Sequence, residues 1–139
     1  MDNKIKALAE YLEIEEDAIK LTKSGSYETD CNEYLVLTDE EADQEVKKEI
    51  KDSLWVLDAE FILNTCGLDS GSNVIESLRK TQKFSRKDCN NFIRAIVDGT
   101  CGIDKFVNQV ILAYDRGYFL SAYNSEEEEQ GGYFIYCIW

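Results

Sequence analysis

The sequence predicts an α+β fold in one domain over residues 1–139, with a small antiparallel sheet of three to four strands covered by several helices. Three observations predict it. Tyr34-Leu35-Val36-Leu37, a run suited to a pleated buried surface, leads straight into a long acidic amphipathic segment. Residues 59–114 carry apolar side chains at helical spacing. The last stretch, Tyr118–Tyr123 and Tyr133–Trp139, is aromatic and apolar, like a pair of strands around an acidic, glycine-containing loop.

In chain order, Ile5, Leu8, Ala9 and Leu12 predict a first short helix, and Ile14–Ile19 a further helical turn or two. Ser24-Gly25-Ser26 marks a turn. Ser26–Thr29 is expected to pair with Tyr34–Leu37 as a hairpin across Asp30-Cys31-Asn32-Glu33. Thr38 and Glu41 have the T-x-x-E capping spacing, and Asp39 and Glu40 suit the positive end of the helix dipole. Ala42, Val46, Ile50, Leu54 and Leu57 then predict one helical stripe, with Trp55 beside it. Asp58 is a candidate cap for a helix that Gly67 stops; Ser72 and Ser85 are candidate starts for the next two. Ile103, Phe106, Val107, Val110, Ile111 and Tyr114 form the most regular stripe, expected to end at Arg116-Gly117. Glu126–Glu129 with Gln130-Gly131-Gly132 reads as a loop, and Tyr133–Trp139 as a closing strand with apolar residues on both faces.

Composition narrows the chemistry. At 139 residues the chain has the size of one domain, or of one with an appendage. It contains no run long enough to span a bilayer, and its acidic amphipathic start is not expected to be a signal peptide. Five cysteines, Cys31, Cys66, Cys89, Cys101 and Cys137, stand at wide spacings with no C-x-x-C, which points to a reduced cytoplasmic setting. No histidine occurs, so histidine-activated nucleophiles and histidine-ligated metals are excluded. The net charge is −13 and uneven: residues 1–60 hold 18 acids and 7 bases, residues 61–116 hold 6 acids and 8 bases, and residues 117–139 hold 4 acids and no base. Such a field repels nucleic acid and attracts basic surfaces.

Two stretches resemble a known family. Glu33-Tyr34-Leu35-Val36-Leu37-Thr38-Asp39-Glu40-Glu41-Ala42-Asp43, together with Arg116-Gly117-Tyr118-Phe119-Leu120-Ser121-Ala122-Tyr123 and Tyr133-Phe134-Ile135-Tyr136, is similar to small acidic, uncharacterised accessory proteins of bacteriophages, prophages and mobile elements. The likeness covers about a third of the chain. This chain departs from the family pattern in the tail loop, with Asn124-Ser125-Glu126-Glu127 in place of Asp-Gly-Glu-Glu, and at Cys137, where the family often has arginine. The resemblance implies an accessory role in a bacterial host cell and names no catalytic residue.

The candidate site residues are carboxylates that a partner can read. Glu41, Glu45, Glu49 and Asp52 fall on one flank of the long helix, and Glu126, Glu127, Glu128 and Glu129 form a second patch. The simpler reading of the first is a solvated acidic face, and of the second a solvated hairpin tip, since the run lacks the staggered spacing of a calcium loop. The bases Arg79, Lys80, Lys83, Arg86 and Lys87 read as internal balance for the acidic helix, with phosphate binding as the alternative. Cys89 follows Lys87 near a helix start, where a thiol pKa can fall, but it also lies on an apolar stripe.

The expectation is a non-enzymatic protein without cofactor or metal. It binds and inhibits a host nucleic-acid-handling protein with a basic groove, of the anti-CRISPR or anti-restriction type, by nucleic-acid mimicry. It binds neither nucleic acid directly nor membrane. The alternative is an oligomeric adaptor or structural module that self-associates through the C-terminal strand.

Overall fold

Thr38 ends a strand and starts a helix through the reciprocal bonds its spacing predicts. In the computed structural model, which describes residues 3–68, 71–84 and 86–139, the Glu41 amide donates to Thr38 Oγ1 at 3.2 Å and the Thr38 amide donates to Glu41 Oε1 at 2.9 Å. Strand β3 (Glu33–Leu37) stops before this box and helix α2 (Asp39–Asp52) follows it. Ala42, Val46 and Ile50 are fully buried along one stripe. The helix does not run on to Leu57, as the stripe suggests. Ser53 leaves helical geometry at φ −132° and ψ 38°, and Leu54–Val56 form one 3-10 turn. Leu54 and Leu57 are nonetheless buried.

The chain packs as two compact units, residues 1–46 with 114–139, and residues 47–113. The first contains a five-stranded antiparallel sheet, wider than the three to four strands expected. Its order is β1 (Lys20–Leu21), β2 (Tyr27–Glu28), β3, β5 (Tyr133–Cys137), β4 (Glu128–Gln130). The two segments expected to form a hairpin do pair, but in another register: Glu33 is strand and not loop, Tyr27 lies opposite Tyr34 and Glu28 opposite Glu33, and Leu35–Leu37 reach past β2 and pair with β5 alone. Ile14–Ile19 contributes one 3-10 turn, Glu16–Ala18.

Part of the acidic run is strand rather than loop. Glu128 lies opposite Ile135 and Gln130 opposite Tyr133. The tip of that hairpin is Gly131-Gly132, at φ 60° and 84°. Positive φ at both central residues is what a two-residue turn matched to strand twist requires, and glycine meets it without strain.

The sheet is covered on both faces. Tyr34 and Val36 of β3 and Ile135 of β5 point to one side, where Leu8 and Ala9 of α1 (Asn3–Leu12) close the core with Ile19 and Tyr27. Tyr136, on the opposite face of β5, is fully buried too, and α7 (Arg116–Leu120) packs against that strand. The expected strand at Tyr118–Tyr123 is therefore a helix followed by a turn. Rings decide it: Tyr114, Tyr118 and Phe119 form a cluster with centroids 5.1–6.0 Å apart. The break at Asp115 folds α7 back so that Tyr118 and Phe119 both reach Tyr114, whereas on a strand residues 114 and 118 would be spread over more than 10 Å. The preceding helix α6 (Ile103–Tyr114) ends at Asp115, whose φ is 70°, and not at Arg116-Gly117.

The second unit is helical. It holds α3 (Ala59–Thr65), α4 (Ser72–Phe84), α5 (Arg86–Gly99) and most of α6. Asp58 caps α3 as expected, its carboxylate accepting from the Phe61 amide at 3.2 Å, and the chain turns at Gly67 with the Leu68 amide returning to the Leu63 carbonyl at 2.9 Å. The expected cap at Ser85 lies outside the described residues. Ile62, Ile93, Val97, Phe106 and Val110 are fully buried, and Phe61 meets Phe106 edge-on at 6.4 Å. Among the described residues, no helix is long and apolar enough to cross a membrane.

Candidate functional site

The charge asymmetry of the sequence falls on the two units. Residues 1–46 and 114–139 carry 19 acids and 5 bases, net −14; residues 47–113 carry 9 acids and 10 bases, net +1. Essentially all the net charge belongs to the unit with the sheet. The question is which of its carboxylates are consumed internally and which remain available.

Along α2, Glu41 and Glu45 of this unit and Glu49 and Asp52, on the part of the helix that belongs to the helical unit, are all exposed. Their spacing of four, four and three residues puts them on one flank, successive carboxylates being about 6 Å apart along the axis. They are not equivalent. Glu41 closes the Thr38 box and also accepts from Lys4 Nζ at 2.8 Å. The Lys4 bond first, and the Thr38 amide second, hold its carboxyl below the ordinary value. Glu45, Glu49 and Asp52 make no ion pair among the described residues, so three of the four predicted residues on this helix are free for a partner.

The second patch divides as well. Glu126, Glu127 and Glu129 are exposed and Glu128 is half-buried. Glu127 does not belong to a solvated tip. It accepts from Arg116 Nε at 2.8 Å and from the hydroxyl of Tyr136.

Arg116 is the residue the sequence reading missed. Its side chain is only 12% exposed, and three carboxylates converge on it. Besides Glu127, Nη1 donates to Asp39 Oδ1 at 2.8 Å, to Asp43 Oδ1 at 3.0 Å and to the Asp39 carbonyl at 3.2 Å. The guanidinium carbon lies 4.8 Å from the Phe134 ring centroid. Burial opposes its charge, but the bonds to Glu127 and Asp39 outweigh that and raise its pKa. Burial, and then the bond to Glu127, push the Tyr136 phenol up as well. One arginine thus joins the first turn of α2, the start of α7 and the acidic run. The one available signal was compositional: Arg116 is the only base after residue 105.

Gly117 completes this hub. A Cβ there would sit 2.8 Å from the Ser125 carbonyl oxygen and 2.9 Å from the Glu126 carbonyl carbon. The loop itself is pinned by Ser121, whose hydroxyl donates to the Glu126 carbonyl, and by the Tyr123 amide, which donates to the Cys137 carbonyl at 3.2 Å.

Hollows in this unit are lined by acids. An open groove of about 500 Å³ between α1 and residues 13–17 is bordered by Glu10, Glu13, Glu15, Glu16 and Asp17. A smaller cavity of about 190 Å³ lies among Tyr11, Tyr34, Tyr123, Glu126 and Glu128. Burial, then the charges of Glu128 and Glu126, raise the Tyr11 phenol.

The remaining candidates are structural. Arg79 approaches Asp58 at 3.7 Å and Arg86 lies over the Trp55 ring at 4.9 Å, so these two bases of the cluster are engaged within the helical unit and not with the free carboxylates of α2. The Lys87 side chain lies outside the described ones. Cys89 is fully buried, and burial pushes its thiol up instead of down. All five cysteines are free thiols. β5 is an interior strand between β3 and β4, with Ile135 and Tyr136 buried, Tyr133, Phe134, Cys137 and Ile138 partly exposed, and Trp139 69% exposed. Among the described residues, no group of three or more Cys, Asp and Glu is placed to hold a metal ion. Comparison with protein families, curated proteins and solved structures finds no match to this chain.

Proposed function

We propose that the protein is a non-catalytic inhibitor that occupies the basic groove of a nucleic-acid-handling protein, its carboxylates standing where phosphates would. The observation that carries this reading is the concentration of net −14 on one unit, where Glu45, Glu126 and Glu129 stay exposed and, among the described residues, outside every ion pair; Glu49 and Asp52, on the part of α2 that belongs to the helical unit, are likewise exposed and unpaired there. Carboxylates at regular steps along a helix form a line of negative charge, and a groove lined with arginine and lysine binds such a line by the forces that hold a phosphate backbone. The same field keeps nucleic acid itself away. The resemblance to phage and prophage accessory proteins supports a cytoplasmic host target of the anti-CRISPR or anti-restriction class.

The test is capture of a partner from host lysate at low salt, followed by binding of the Glu45→Lys, Glu49→Lys double variant. Neither residue caps or pairs, so the fold should persist, and net charge moves only from −13 to −9. Binding should weaken at least tenfold, as attractive contacts become repulsive, and wild-type affinity should fall steeply between low and physiological salt. Undiminished binding by the folded double variant would remove this helix from the interface.

A further inference from the structure

We infer that the cavity among Tyr11, Tyr34, Tyr123, Glu126 and Glu128 is a specific socket for an arginine side chain presented by the partner protein. The inference rests on the reading of the partner as a basic protein and adds the point at which a single residue is recognised.

Volume sets the class of occupant. At about 190 Å³ the cavity falls below the ~300–1,000 Å³ usual for small-molecule and cofactor sites, yet it suits the head of one long side chain. Charge sets the sign. Glu126 and Glu128 border it, and neither is ion-paired with any described residue. Two of the unit's five cations are engaged elsewhere, Arg116 at Asp39, Asp43 and Glu127 and Lys4 at Glu41, and none of the five borders the cavity.

The walls select arginine over lysine. Tyr11 and Tyr123 are 37% and 68% exposed, and Tyr34 is buried behind them. A planar guanidinium stacks on such rings and forks toward two carboxylates, whereas an ammonium ion is a compact, strongly hydrated point charge. The protein applies the same chemistry internally, where Arg116 lies over Phe134 and between carboxylates.

The socket is also held in shape. The Tyr123 amide is fixed to the Cys137 carbonyl, the Glu126 amide to Asn124 Oδ1 at 3.1 Å, and Glu128 is in the β4–β5 ladder opposite Ile135. A second hollow of about 290 Å³ shares Leu12, Asn32 and Tyr34 with the first and adds Ile14 and Ala18. It offers an apolar rest for a residue beside the arginine.

The test uses the full chain and three short blocked peptides, identical except for one central arginine, lysine or citrulline. Binding is followed by the ring resonances of Tyr11 and Tyr123. The arginine peptide should shift both saturably, with lysine at least threefold weaker and the uncharged citrulline showing no saturable shift. The Glu126→Gln, Glu128→Gln double variant and, separately, Tyr123→Ala should each weaken the arginine peptide at least tenfold. Glu45→Lys, Glu49→Lys should leave it within twofold, which separates this socket from the helix reading. Equal shifts from citrulline, or unchanged affinity in both socket variants, would overturn the inference while leaving the helix result to stand or fall alone.

Discussion

The two units are held together by different means. In the helical unit, nine acids meet ten bases, and stability resides in a dry core of Ile62, Ile93, Val97, Phe106 and Val110. In the sheet unit, 19 acids meet five bases, and one largely buried arginine gathers three of the carboxylates. The first is close to neutral and should respond little to salt or pH. The second carries self-repulsion that compactness makes worse, and two of its five cations, Lys4 and Arg116, each bind carboxylates of the first turns of α2. The difference teaches that the acidic surface is selective: the carboxylates at the α2 start and Glu127 are paired, while those of α1 and residues 13–17, of Glu45 and of the rim of the acidic run are in no ion pair among the described residues.

The largest expected effect breaks the neutral side of this comparison. Phe106→Ala should cost about 3–5 kcal/mol, because it removes a fully buried ring and leaves a cavity. Chemical denaturation should show that loss unchanged between low and high salt. A loss that shrinks markedly with salt would mean that charge, and not packing, limits this unit.

Arg116→Met comes next and addresses the charged side. Removing one member of a buried pair costs about 3–5 kcal/mol. Asp39 and Asp43 remain 71% and 49% exposed and can be resolvated, so about 2–3 kcal/mol is expected. Hydrogen exchange should locate it, with amides of residues 33–37 and 133–137 losing protection and those of α5 keeping theirs. Uniform loss across both units would show that they do not open separately.

Gly117→Ala should cost about 1–2 kcal/mol through overpacking. The new methyl would meet backbone atoms of Ser125 and Glu126, which cannot swing away as a flexible side chain can. A thermal melt checks it; no change in midpoint would mean that the 124–127 loop yields freely.

These sites also show how far the sequence could be read. Wherever a signal was local, it was legible. The Thr38–Glu41 box, the Asp58 cap and the Ala42-Val46-Ile50 stripe each depend on residues a few positions apart. Wherever structure depended on distant partners, it was not. Strand β1 has two residues and exists only because β2 lies beside it. Tyr118 and Phe119 have the composition of a strand, yet they lie in α7 with their rings against Tyr114, across the break at Asp115. Glu127 is indistinguishable in sequence from Glu126 and Glu129, and only the approach of Arg116 and Tyr136 separates it. The face of α2 was legible, but not that Glu41 is committed to Lys4, 37 positions away.

The smallest effect, and the finest test of the comparison, is at Glu41. Its carboxyl is held below its ordinary value of 4.5 chiefly by the Lys4 bond. A depressed folded pKa means that the folded state holds the proton less tightly than the unfolded chain. Its contribution is therefore fully present above about pH 4.5 and is lost as pH falls through the lower folded value. Glu41→Gln separates the two duties of the residue, because glutamine can still reach back to the Thr38 amide but cannot pair with Lys4. With Glu41 about half exposed, the charge alone should be worth about 0.3–0.5 kcal/mol and the cap and charge together, in Glu41→Ala, about 1 kcal/mol. Measured by urea denaturation, the deficit of Glu41→Gln against wild type should be constant from pH 8 to about pH 5 and shrink below pH 4.5, whereas part of the Glu41→Ala deficit should persist at every pH. In a Lys4→Met background the Glu41→Gln deficit should vanish at pH 7. A deficit that survives without Lys4 would place the stabilising charge in the helix dipole of α2, and the acidic unit would then owe less to its few cations than the Arg116 and Lys4 pairs imply.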